Sequence, residues 1–159
     1  MSGKTKSLFL YFLVFISIFL IDRVSKVYII NLANTSGIVD IKINNYLNIF
    51  LIWNTGIGFG LFSSGNPMLY NIITFLILII NLIIIYLIYT SYNLKRLIFI
   101  IILGGSSGNL FDRAYYSAVP DFIDLNYNGY HWFIFNFADI FISIGIFCLI
   151  FMEIFSYKK

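Results

Sequence analysis

MLYNIITFLILIINLIIIYLIY, from Met68 to Tyr89, contains no charged residue. As a helix rising 1.5 Å per residue, such a run covers the roughly 30 Å of hydrocarbon in a bilayer. Working outward from it, three weaker apolar stretches stand at Leu8 to Ile21, Leu97 to Phe111 and near Phe133 to Phe155. The first is short and must continue through Asp22, Arg23 and Lys26 to span; the other two carry carboxylates near one end. With 60% hydrophobic and 11% charged residues, against roughly 25% charged in an ordinary soluble domain, a water-soluble globule is excluded. The predicted fold is an all-α membrane protein, four transmembrane helices in one membrane-embedded domain over residues 1–159.

Charge orients the spans, because Lys and Arg near helix ends are retained on the cytoplasmic side. Lys4 and Lys6, Lys95 and Arg96, and Lys158 and Lys159 fall on one face of a four-pass chain, which places both termini in the cytoplasm. Arg23, Lys26, Lys42 and Arg113 share the opposite face with Asp22, Asp40, Asp112, Asp121, Asp124 and Asp139. Lys4 and Lys6 before an apolar run also fit a cleavable secretory signal, but no small-residue cleavage site follows, so the segment reads as a retained first helix.

Composition excludes several chemistries. Ten basic residues against seven acidic ones are too few for a phosphate-tracking surface, so no nucleic-acid partner is expected. A single Cys148 and a single His131 exclude disulfides and His/Cys metal clusters, and no metal or cofactor is expected. The segment Asn54-Thr-Gly-Ile-Gly-Phe-Gly60 matches neither a dinucleotide fingerprint nor a phosphate loop.

Between the first two spans, Val39, Ile41 and Ile43 alternate with Asp40, Lys42 and Asn44, and Tyr46 to Trp53 favours a second strand after Asn44-Asn45. A small extracytoplasmic β-hairpin or sheet is predicted there. Tyr115, Tyr116, Tyr127, Tyr130 and Trp132 read as an interfacial aromatic belt, with His131 a hydrogen-bonded member of it.

Gly104-Gly-Ser-Ser-Gly108 is a helix-packing stripe that could serve one bundle or two chains; a monomer is the expectation. Asn109, Asp112 and Arg113 follow on adjacent turns, and Asp112 with Arg113 reads as an ion pair closing a helix. Asp22 and Lys26, four apart, read as a structural pair. Asp121 is held by Pro120 and flanked by Phe122 and Ile123. Asp139, three residues after Asn136, lies just below the outer surface of an apolar helix, where an ionised group is costly and marks a functional candidate. Two carboxylates meeting in a low-dielectric pocket share a proton, so that one activates water while the other polarises a carbonyl. With no nucleophile–base pair, an acid dyad is the hydrolytic chemistry this inventory allows.

Taken in order, Asp22-Arg-Val-Ser-Lys26, Asn54-Thr-Gly-Ile-Gly-Phe-Gly60, Gly104 to Arg113, Pro120-Asp-Phe-Ile-Asp124 and Phe135-Asn-Phe-Ala-Asp139 resemble the lipoprotein signal peptidase (signal peptidase II) family. The resemblance implies an aspartyl endopeptidase of the bacterial inner membrane, with its site at the outer face. Its substrates would be prolipoproteins that already carry a diacylglyceryl group. By motif, Asp121 and Asp139 would be catalytic, while Asn54, Gly56, Asn109, Asp112, Arg113 and Asn136 would line or brace the site. Ser25, Ser106-Ser107, Pro120 and Ile140 depart from the family's usual residues, and none of these changes removes a carboxylate.

Two rival readings follow from the residues alone. A small proton- or ion-coupled transporter needs ionisable groups at several depths, which Met68 to Tyr89 lacks. A non-enzymatic assembly subunit would use the glycines and aspartates for helix contacts.

Overall fold

The computed structural model describes residues 3–56, 66–127 and 130–156; Ile57 to Gly60, Lys158 and Lys159 lie outside them. Four helices are long and apolar enough to cross a membrane. They are α1 (Gly3–Ser36), α2 (Pro67–Thr90), α3 (Asn93–Tyr116) and α4 (Phe137–Ser156). The charges at Asp22, Arg23 and Lys26 do not interrupt α1, whose 34 residues extend about 50 Å, well beyond the hydrocarbon thickness. It ends where Gly37 takes φ +83 and donates its N–H to Ala33 O at 2.8 Å, a left-handed stop that glycine adopts without a Cβ clash. Asn66 caps α2 by accepting the Met68 N–H, with Pro67 in the first turn, where a missing N–H costs nothing.

α3 is the central helix, packing on α1, α2 and α4, and small residues let its neighbours approach. A Cβ on Gly105 would stand 2.6 Å from the Ala138 carbonyl oxygen of α4, and one on Gly104 would stand 3.0 Å from the Ile18 side chain of α1. The glycine stripe is thus occupied by helices of the same chain. On α1 the buried residues Ile18, Asp22, Lys26 and Ile29 follow each other at spacings of four, four and three, one face of a helix. That face turns toward α3.

The hairpin expected after the first span is present as β1 (Asp40–Lys42) and β2 (Leu47–Asn54), its turn held by the Asn44 side chain, which accepts the Tyr46 and Leu47 N–H groups. The sheet is larger than the sequence reading. The connection between α3 and α4, expected to be an aromatic belt, forms β3 (Val119–Tyr127) and β4 (Tyr130–Phe135). The four strands are antiparallel in the order β1-β2-β3-β4. Consequently α4 begins at Phe137, not near Phe133, and Phe133 to Phe135 pair with Ile123 to Leu125. The long-range pairing of β2 with β3, which sets Ile52 opposite Asp121 and Asn54 opposite Val119, ties the two connections together.

Two apolar cores bracket the polar centre. Ile29, Val39 and Phe122 seat the sheet on α1, joined by Phe137 at 6.1 Å ring separation from Phe122. Ile84, Ile98, Phe99 and Ile102 fill the far end of the bundle, where Lys95, Arg96 and Glu153 lie. Between the two cores sits a concentration of buried charge.

Candidate active site

Asp121 enters from β3 and Asp139 from the first turn of α4, and both line one cavity of about 270 Å³. Asn136 joins them. It stands immediately before α4 and accepts the Asp139 N–H on Oδ1 at 3.1 Å, while Asp139 Oδ2 accepts the Asn136 N–H at 3.2 Å. This is the reciprocal exchange of a capping box, with aspartate as its acid. The Asn136 amide, its oxygen thus occupied, donates Nδ2 to Asp121 Oδ1 at 2.5 Å.

The second oxygen of Asp121 accepts Asn54 Nδ2 at 2.9 Å, and Asn54 is oriented by the Gly56 N–H, which donates to its Oδ1 at 2.8 Å. Asn109 on α3 donates Nδ2 to Asp139 Oδ1 at 2.8 Å. Each acid therefore has both oxygens engaged by amide donors. Asp121 is fully buried, and burial, reinforced by the neighbouring Asp139 charge, pushes its carboxyl up to about 7.

The remaining walls are mostly apolar, formed by Ile77 of α2 and Ile142 and Ile146 of α4, with the hydroxyl residues Ser106 of α3 and Ser143 of α4 also lining the cavity. A second apolar hollow of about 260 Å³, lined by Phe135, Ile144 and Phe147, also reaches Asp139. Asp139 stands between the two.

Asp112 and Arg113 do not form the pair expected from their adjacency. Successive helical residues point about 100° apart. Asp112 turns to α1, where it meets Arg23 at 2.5 Å and Lys26 at 2.7 Å. Arg113 turns to the cavity, donates to the Gly56 carbonyl and lies over the Tyr70 ring at 5.5 Å; Tyr70 in turn donates its hydroxyl to the Arg113 carbonyl at 2.8 Å. Tyr70 was not singled out from the sequence, since nothing local distinguishes it from other tyrosines near helix ends.

Asp22 and Lys26 do pair, at 2.8 Å, but their reach is wider than a local bridge. Asp22 Oδ1 also accepts the Ala138 N–H of α4 at 3.0 Å, and Lys26 also donates to Asn109 and Asp112. A lysine one turn after an aspartate inside an apolar helix is a signal for such a buried network, read here only as a pair. Asp124 lies three residues from Asp121 along β3 and so on the other face of the strand. There it is bonded by His131 Nδ1 at 2.8 Å, in agreement with the hydrogen-bonded histidine expected from sequence.

Fold and site define a multi-pass membrane protein with two acids, Asp121 buried and Asp139 half-buried, lining one cavity where its helices meet an antiparallel sheet. Residues 14–155 match the family described as signal peptidase (SPase) II, and the chain belongs to that family. The lipoprotein signal peptidase of Pelagibacter ubique (strain HTCC1062) is 49% identical over 154 residues, 97% of this chain and 93% of that protein. That of Aquifex aeolicus (strain VF5) is 37% identical, covering 95% and 89%. A solved chain described as a bacterial membrane enzyme, obtained by the in meso method at 2.3 Å, superposes with a TM-score of 0.71 at 32% identity. It covers 94% of this chain and 91% of its own. The protein is accordingly a multi-pass bacterial membrane protein of a protease family.

Proposed function

We propose that the chain is an aspartyl endopeptidase that removes the signal peptide from diacylglyceryl-modified prolipoproteins, with Asp121 and Asp139 as the catalytic dyad. The observation that carries this reading is that the two acids, from β3 and α4, share one cavity and one bridging amide, Asn136. One carboxylate deprotonates a water that attacks the carbonyl preceding the lipidated cysteine. The other, protonated, stabilises the oxyanion and then helps protonate the leaving amine. No covalent intermediate is needed, since water itself is the nucleophile.

Asn54, Asn109 and Asn136 hold the acids as donors, Arg113 and Gly56 form the adjoining wall, and Asp112 braces α3 against α1. The apolar walls at Ile77, Ile142 and Ile146 suit a signal sequence or acyl chain beside the scissile bond. By the charge rule, both termini face the cytoplasm and the sheet and acids face the outer side of the inner membrane. The working unit is one chain forming a single domain.

The test is incubation of the purified protein with a diacylglycerylated precursor and its unlipidated counterpart. Cleavage of the lipidated precursor alone is expected, and it should fall by about two orders of magnitude or more in Asp121→Asn and Asp139→Asn. Near-normal cleavage by either folded variant would falsify the dyad.

A further inference from the structure

Lys26 is completely buried, and its ammonium has three hydrogen-bond donors and no acceptor. All three donors are used: on Asp22 Oδ2 at 2.8 Å, Asp112 Oδ2 at 2.7 Å and Asn109 Oδ1 at 2.7 Å. The first two bonds neutralise charge. The third has a different consequence, because a primary amide facing an ammonium can present only its oxygen. The NH2 of Asn109 must then point the other way, and it does, to Asp139 Oδ1 at 2.8 Å. Without a cation behind it, the same amide could turn over and set its oxygen against the carboxylate.

We infer that Lys26 is a positioning residue for the acid dyad, fixing Asn109 as a donor so that Asp139 is held in one orientation. The inference rests on the peptidase reading above and adds a group that touches neither acid. The three residues come from α1, α3 and α4, so this chain of bonds also sets how those helices meet. Asn136 and Asn54 are oriented differently, each by a backbone N–H on its oxygen. Asn109 takes its orientation from a charged side chain.

The charge around Lys26 is balanced, Asp22 and Asp112 against Arg23 and Lys26. Removing Lys26 alone would strand a buried carboxylate, so the substitution is best made together with Asp112→Asn, which restores the balance. In the Asp112→Asn background, Lys26→Met should lower kcat about tenfold or more with KM held within about twofold, as expected when a reacting group is misplaced. With Asn109 also replaced by Ala, the same Lys26→Met change should cost at least about threefold less in kcat, because the amide through which Lys26 orients Asp139 is gone and only its charge acting across space remains. An equal fold-loss in both backgrounds, or no loss with Asn109 present, would overturn the inference.

Asn109→Asp gives a second route that leaves Lys26 in place: the new carboxylate still accepts from Lys26 but cannot donate to Asp139. A kcat loss matching that of Asn109→Ala is expected, and wild-type turnover would refute the orienting role. A readout independent of cleavage is the infrared carboxyl band lost in Asp139→Asn. Its shift on Lys26→Met should be clearly larger when Asn109 is present than when residue 109 is Ala; an equal shift in both refutes the inference. Failure of the unsubstituted chain to cleave lipidated precursor would count against the peptidase reading, while the infrared comparison would still decide the role of Lys26.

Discussion

Asn136 donates its side-chain amide to Asp121 at 2.5 Å across the junction between β3 and α4. The same residue caps the helix that carries Asp139, so helix initiation and alignment of the two acids are one structural event. Loss of Asn136 should therefore cost stability and turnover together. Asn136→Ala is expected to lower stability by about 1 kcal/mol or somewhat more, as for other lost caps. It should also reduce kcat by about tenfold or more as the acids lose their common bridge. Thermal unfolding in detergent and cleavage kinetics on the same preparation measure both.

The elevated Asp121 carboxyl predicts a definite pH dependence. Its folded value of about 7 against an ordinary 3.8 means that between these limits the folded protein binds a proton that the unfolded chain has released. Stability contributed at this site therefore falls as pH rises from about 4 to about 7, and is constant outside that window. Asp121→Asn should flatten that part of the profile. In the proposed mechanism one acid of the pair carries a proton, so kcat is expected to decline as pH rises through about 7. A turnover rate still climbing well above that pH would contradict this assignment.

Two glycines should respond to alanine for different reasons and with different effects on cleavage. Gly105→Ala drives a Cβ into the Ala138 carbonyl, a backbone atom that can yield only by moving α4 and with it Asp139. A loss of about 1–3 kcal/mol, typical of overpacking, should accompany reduced cleavage. Gly37 has open space around it but a φ of +83. Gly37→Ala should cost only about 1 kcal/mol of backbone strain and leave cleavage of the lipidated precursor within about twofold.

Arg113 combines a hydrogen bond to the Gly56 carbonyl with a ring contact to Tyr70, a geometry that suits a planar guanidinium better than an ammonium. Arg113→Lys keeps the charge and should still lower kcat/KM by about tenfold, since lysine has no planar group to lie over the Tyr70 ring while donating to the Gly56 carbonyl. Parallel measurement of Tyr70→Phe, which removes only the hydroxyl bond to the Arg113 carbonyl, separates helix bracing from the cation's own contacts. The smaller loss is expected there.

Much of the architecture was legible because membrane insertion is a local property of sequence. The run around Met68 to Tyr89 needs no partner to declare itself, and Asn44-Asn45 between two β-favouring runs marks the first hairpin from neighbouring residues alone. Where the reading fell short, the deciding interaction lay far away. Pro120, Asp121 and Asp124 are poor strand formers, so β3 is legible only once β2 supplies its pairing partners. Asp112 and Arg113 looked like a pair until α1 on one side and Tyr70 and Gly56 on the other offered better-placed partners.

From the chain alone followed the four spans, the first hairpin, Asp139 as a carboxylate near the end of the fourth span and, through five ordered motifs, the family. The tertiary structure decided which groups meet: Lys26 with Asn109 and Asp112, 83 and 86 residues away, Asn54 with Asp121, 67 away, and Asn136 with both acids. Hydropathy and capping are set by neighbours a turn or two apart, whereas an acid acquires its chemistry from the charges and amides that folding brings beside it in a medium of low dielectric.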